Sequence, residues 1–147
     1  MCLFFSLLAA SFLAGREEVK VSPVDQTKPP RIVDIEVPKG AAGVPVVGLK
    51  EYVTGEADES KTGRPYVLVA PLLSSEQPRP FWVQGKVTFQ DGRFRTLAQF
   101  GEEDLGRDEY FLIVVMWSDR EYTVGQRLPQ LPIDGTAYSK AHIVIRR

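Results

Sequence analysis

The chain has 147 residues, enough for one domain with its own core and too few for two comfortable ones. Its 18 basic and 19 acidic residues leave a net charge of −1, which gives no general pull toward nucleic acid or an anionic membrane. One cysteine, Cys2, and one histidine, His142, exclude an internal disulfide and leave no ligand set for the usual zinc sites.

From Met1 to Ala14 every residue except Ser6 and Ser11 is apolar, and none is charged. A spanning helix needs about 20 such residues, so this run is too short to cross a bilayer. Residues 1–15 therefore read as a signal peptide or a truncated membrane anchor, and the protein is expected to be exported: periplasmic, extracellular or membrane-tethered. Residues 16–30, REEVKVSPVDQTKPP, are polar and interrupted by Pro23, Pro29 and Pro30. Proline fixes φ and lacks a donor, so this stretch reads as a semi-extended linker. The folded domain is expected over 31–147.

From Arg31 onward the period is two. RIVDIEV places Val33, Ile35 and Val37 on one face, with Asp34 and Glu36 on the other. LKEYVTGEA keeps Leu49, Val53 and Ala57 in phase, and YVLVAPLL is a short apolar run suited to a buried strand. GKVTFQ and RFRTLAQF flank Asp91-Gly92, a pair that specifies a type I′ hairpin because both central residues need positive φ. That turn sets Gln90 opposite Arg93, Phe89 opposite Phe94 and Thr88 opposite Arg95. YFLIVVMW is apolar on both faces, as in a central strand covered on both sides or at a sheet junction. Residues 118–139 form a long connection, with room for a short helical turn in which Leu128 and Leu131 plug one end of the fold. AHIVIRR closes the chain, with Ala141, Ile143 and Ile145 expected on one face and His142 on the other. Short strands punctuated by Gly and Pro indicate an all-β sandwich or barrel.

Glu102, Glu103, Asp104, Asp108 and Glu109 crowd the segment before YFLIVVMW. Three readings are open: a solvated structural corner bent at Gly106, a cation site, and a pair of catalytic acids. Calcium loops alternate their oxygen ligands, and EEDLGRDE lacks that alternation and carries Arg107 within it. No histidine or lysine stands beside the acids in sequence to complete a catalytic set.

DLGRDEYFL resembles the E–F corner of immunoglobulin-like sandwiches, where a tyrosine opens strand F and bonds back to nearby backbone. Asp104, Gly106 and Tyr110 take the corner positions in that comparison, and Leu112 stands where antibody domains carry their second cysteine. PYVLV occupies the region of the strand C tryptophan. With VDIEV, LKEYVTGEA, FWVQGKVTFQDGRF and AHIVIRR in order, residues 31–147 resemble the cysteine-free immunoglobulin-like modules of bacterial exported or membrane-tethered proteins. The resemblance implies an immunoglobulin-like antiparallel β-sandwich of seven to nine strands and a non-enzymatic accessory or interaction role. It brings no catalytic residue, cofactor or metal.

Phe81, Trp82 and Trp117 are the ligand-binding candidates. Phe81 and Trp82 are adjacent, so on a strand they point to opposite faces, and an exposed aromatic can anchor a protein partner or stack on a sugar. The expected partner is accordingly a protein, with a cell-surface glycan as the alternative, and the N-terminal apolar segment offers a membrane tether.

Overall fold

The computed structural model describes residues 30–36, 43–57 and 63–147. The signal or anchor segment, the body of the linker and Val37 lie outside the described residues. Among those described, the strands in chain order are β1 (Arg31–Ile35), β2 (Val46–Val47), β3 (Lys50–Glu56), β4 (Arg64–Pro71), β5 (Phe81–Val83), β6 (Thr88–Gln90), β7 (Arg93–Gln99), β8 (Tyr110–Ser118), β9 (Arg127–Leu128), β10 (Ala137–Tyr138) and β11 (His142–Arg146). No helix is present among the described residues.

The strands form two sheets packed as a sandwich. One has the order β1-β3-β7-β6, and the other β2-β11-β8-β4-β5-β9, with β10 also pairing with β8. Among the described residues eleven strands stand where seven to nine are expected, because three two-residue strands, β2, β9 and β10, extend the larger sheet. One pair departs from the antiparallel expectation: β2 runs parallel to β11.

Local chemistry accounts for most elements. Asp91 and Gly92 adopt φ of 53° and 74°, and β6 and β7 pair with Gln90 opposite Arg93, Phe89 opposite Phe94 and Thr88 opposite Arg95. The two phenylalanine rings meet edge-on at 6.2 Å. Along β7, Phe94, Thr96 and Ala98 face inward while Arg95, Leu97 and Gln99 face out, a period-two pattern for a half-buried sheet.

Two strands depart from the simple alternation. In β1, Ile32 and Ile35 are buried and Val33 is exposed, in place of the expected Val33 and Ile35 face. The β1–β3 register shifts between Arg31 and Asp34, and that irregularity lets residues three apart point the same way. In β11, Val144, Ile145 and Arg146 are buried while Ile143 is exposed, so of the expected Ala141, Ile143 and Ile145 face only Ile145 is buried. Ile143, Val144 and Ile145 are all apolar, and Arg146 has a buried role described below.

The larger sheet is buried on both sides. Phe111, Ile113 and Val115 of β8, with Val67 and Val69 of β4, face the smaller sheet. Val114 and Met116, with Leu68 and Ala70, face away from it into a second apolar layer completed by Phe81, Val83 and Leu128. Tyr122, Leu131 and Tyr138 pack on that layer, so the 119–138 connection covers the outer face of the sheet. Each fully buried large side chain there contributes about 1.5–3 kcal/mol. Leu128 and Leu131 therefore lie over a sheet face and not at one end of the sandwich, and the segment carries β9 and β10 where a helical turn was expected. Polar bonds fasten the cover: the Ser139 Oγ accepts from the Val115 N–H at 2.9 Å, and the Tyr66 hydroxyl accepts from the Tyr122 N–H at 3.2 Å.

Candidate functional site

The acidic segment is a corner built around Arg146. The Arg146 side chain enters from β11, is 6% exposed, and donates to four backbone carbonyls. Its Nη1 donates to the carbonyls of Phe100 (3.0 Å), Glu102 and Leu105, and its Nη2 donates to that of Glu103 (3.1 Å). The loop's own bonds complete the frame. Glu102 and Leu105 exchange N–H···O bonds at 3.0 and 3.2 Å, and the Asp108 N–H donates to the Arg146 carbonyl at 2.7 Å. A guanidinium offers five donors in a fixed fork, which suits it to gathering carbonyls that point inward from a tight loop.

Gly101 and Gly106 make room for this arrangement. Both have positive φ, 76° and 92°. A Cβ on Gly101 would stand 2.5 Å from the Leu105 carbonyl oxygen and 3.0 Å from the Arg146 Nη1, and one on Gly106 would stand 3.0 Å from the Phe111 ring. The carboxylates of 102–109 are on exposed residues, and none lies in an ion pair within 4.0 Å among the described residues. No three acidic, histidine or cysteine side chains converge as metal ligands would, among the described residues. The loop's inward carbonyls are occupied by the protein's own cation.

Tyr110 does not have the role the corner comparison gave it. It is 41% exposed, and its hydroxyl is not among the corner's hydrogen bonds. The cause is phase: Phe111, Ile113 and Val115 face the smaller sheet, so Tyr110 and Leu112 point the other way. The ring inside the corner is Phe111, which meets Phe100 edge-on at 5.8 Å. Asp104 is exposed, and it is Gly106 that bends the chain.

Beside the corner the two sheets part. β6 has three residues against the seven of β7, so the β7 edge beyond Arg95 has no strand beside it. The chain crosses from β5 toward β6 there, and Gln84 seals the junction. Its Oε1 accepts from the Gln99 N–H at 2.8 Å, and its Nε2 donates to the Trp82 carbonyl at 3.0 Å. The opening left is a cleft of about 700 Å³. It reaches the inter-sheet core at Val69, Ala98 and Phe111 and is also lined by Trp82, Gln84, Gln99, Lys50 and, from the corner, Gly101, Glu102, Leu105, Gly106 and Glu109. Three of its lining residues are apolar yet exposed: Leu97 (42%), Leu105 (65%) and Val124 (59%). Val124 sits on a turn pinned to β5, where the Gly125 N–H donates to the Val83 carbonyl at 2.8 Å and the Val83 N–H donates to the Gln126 carbonyl at 3.0 Å.

Of the three aromatic candidates, only Trp82 reaches the cleft. Phe81 is buried in the outer apolar layer, and Trp117 is 2% exposed and packed against Phe89 at 5.7 Å, so neither presents a face to a ligand. Trp82 is half-buried, with the Arg127 guanidinium 5.7 Å from its ring centre. The Tyr52 ring is covered in the same way by Arg95 at 3.7 Å. His142 is half-buried opposite Ile113 on β8. In the covering connection, burial and the adjacent Asp134 carboxylate raise the Tyr122 hydroxyl above the ordinary phenol range, and the hydroxyl donates to Asp134 at 3.0 Å.

Sequence reasoning missed Arg146, Gln84, Leu105 and Val124. Arg146 carried a readable signal: if Val144 faces inward, so does Arg146. Gln84 and the cleft depend on how short β6 is relative to β7, which no local pattern states. Comparison with protein-family models, with curated proteins and with solved structures returns no match.

Proposed function

We propose that this domain is a non-enzymatic interaction module of an exported or membrane-tethered bacterial protein, and that it binds a protein partner at the cleft between the sheets. The observation that carries this reading is the grouping of exposed Leu105 and Val124 with half-buried Trp82 around one opening into the core, with Leu97 at its β7 edge on the outward face. Apolar side chains gathered at a concave opening favour a side-chain anchor from a partner. The glycan alternative wants an exposed planar aromatic platform. Support for it is weaker, because Phe81 and Trp117 are buried and guanidinium groups lie over the rings of Trp82 and Tyr52. Export and tethering rest on the apolar Met1–Ala14 segment and on the resemblance to exported immunoglobulin-like modules.

The test is site-specific photo-cross-linking in the native host. A photoreactive residue at position 105 should give a discrete protein adduct, while the same residue at position 73 should not, although Leu73 is the more exposed. Equal adducts from both positions, or none from position 105, would refute the reading.

A further inference from the structure

The cleft also has an electrostatic character that narrows its partner. Glu102 and Glu109 line it, and Glu103, Asp104 and Asp108 stand on the same corner loop. Arg107 is the only exposed cation within that loop, and Arg146 is buried with its donors directed to carbonyls. Lys50 is the single basic residue among those lining the cleft. The corner therefore presents carboxylates outside any ion pair among the described residues next to exposed Leu105, at the rim of an opening that leads to apolar core. Because Arg146 and the two glycines hold the loop's backbone, these charges are displayed on a fixed frame.

From this charge complementarity we infer that the cleft takes an apolar side chain from a protein segment whose neighbouring residues are lysines or arginines. This rests on the cleft reading given above and adds the partner's chemistry. An acidic segment in the same position would face the carboxylates of residues 102, 103, 104, 108 and 109 against Lys50, Arg107 and the Arg127 guanidinium over Trp82, which is already paired with Glu76, and like charges brought together across an interface oppose association. A basic flank gains at the corner, and at an exposed rim that gain is screened by salt over about 8–10 Å.

The experiment uses the full chain and three fluorescein-labelled peptides read by anisotropy. Each peptide has the core Leu-Phe-Leu, flanked on both sides by two lysines, two serines or two glutamates. The lysine peptide should bind at least about ten-fold more tightly than the serine peptide at low salt, and the glutamate peptide more weakly than either. The advantage of lysine should shrink severalfold in 0.5 M salt, where the screening length falls to roughly 4 Å, as a rim charge effect does. The Glu102→Gln and Glu109→Gln double variant should lose most of that advantage with its thermal melt unchanged. Leu105→Ser should weaken the lysine and serine peptides alike. Equal binding of the lysine and serine peptides, or a lysine advantage kept in the double variant, would overturn the basic-partner inference and leave the cleft reading standing. Absence of binding by all three, or binding indifferent to Leu105→Ser, would remove both.

Discussion

Arg146→Met isolates the device that shapes the acidic corner. Methionine keeps an apolar stem of similar reach and removes every donor, so the carbonyls of Phe100, Glu102, Glu103 and Leu105 lose their shared partner. A hydrogen bond to a charged group contributes about 1.5–3 kcal/mol, so four add to a large gross figure. Desolvating the guanidinium offsets several kcal/mol of it. Three of the four carbonyls belong to exposed residues and can turn to water when the side chain is cut, which leaves the Phe100 carbonyl as the main stranded acceptor. The net cost should be about 3 kcal/mol, a drop of roughly 10 °C in melting temperature for a domain of this size. Urea unfolding followed by tryptophan fluorescence should show a lower midpoint with an unchanged slope. Arg146→Lys should recover about half of the loss, since an ammonium brings charge and donors without the planar fork. If Arg146→Met unfolds within about 0.5 kcal/mol of the native chain, the corner is held by its glycines and turn bonds, and the guanidinium's role as its keystone is refuted.

Three other outcomes follow from the same geometry. Gly92→Val should cost about 1–2 kcal/mol in urea unfolding, because a β-branched residue resists the 74° φ of the β6–β7 turn. Gln84→Leu should cost about 1–3 kcal/mol, since it strands the Gln99 N–H and the Trp82 carbonyl at the sheet junction; hydrogen exchange at the Gln99 amide should speed up more than at Val53. Tyr110→Phe should leave the thermal melt unchanged within about 0.5 kcal/mol, and a clear loss would return the tyrosine to the corner.

What the sequence made legible was local. Asp91-Gly92 names its own turn type, so the register of Phe89 on Phe94 followed from chemistry carried by adjacent residues. The apolar run YFLIVVMW announced a strand covered on both faces, and β8 has the smaller sheet on one side and the 119–138 connection on the other. What stayed hidden depended on choices between near-equal phases. HIVIRR carries apolar side chains on both faces, so only the packed structure decides that Val144 and Arg146 face inward. The same ambiguity in YFLIVV reversed Tyr110 and Phe111 at the corner. In β1 the register irregularity between Arg31 and Asp34 exchanged Val33 for Ile32. Of the candidate site, Trp82 and the acids were visible as residue types. The cleft joining them was not, because it arises from the mismatch in length between β6 and β7.

The central claim is that the opening between the sheets is a docking site, and NMR of the full chain during titration with the lysine-flanked peptide tests it most directly. Methyl signals of Leu97, Leu105 and Val124, the Trp82 indole N–H and the Gly101 amide should shift together along one binding curve, while Leu73 and Ile133, both more exposed, stay in place. Shifts confined to the 119–138 covering connection beyond Val124 and Gly125, or spread evenly over exposed apolar residues, would contradict it.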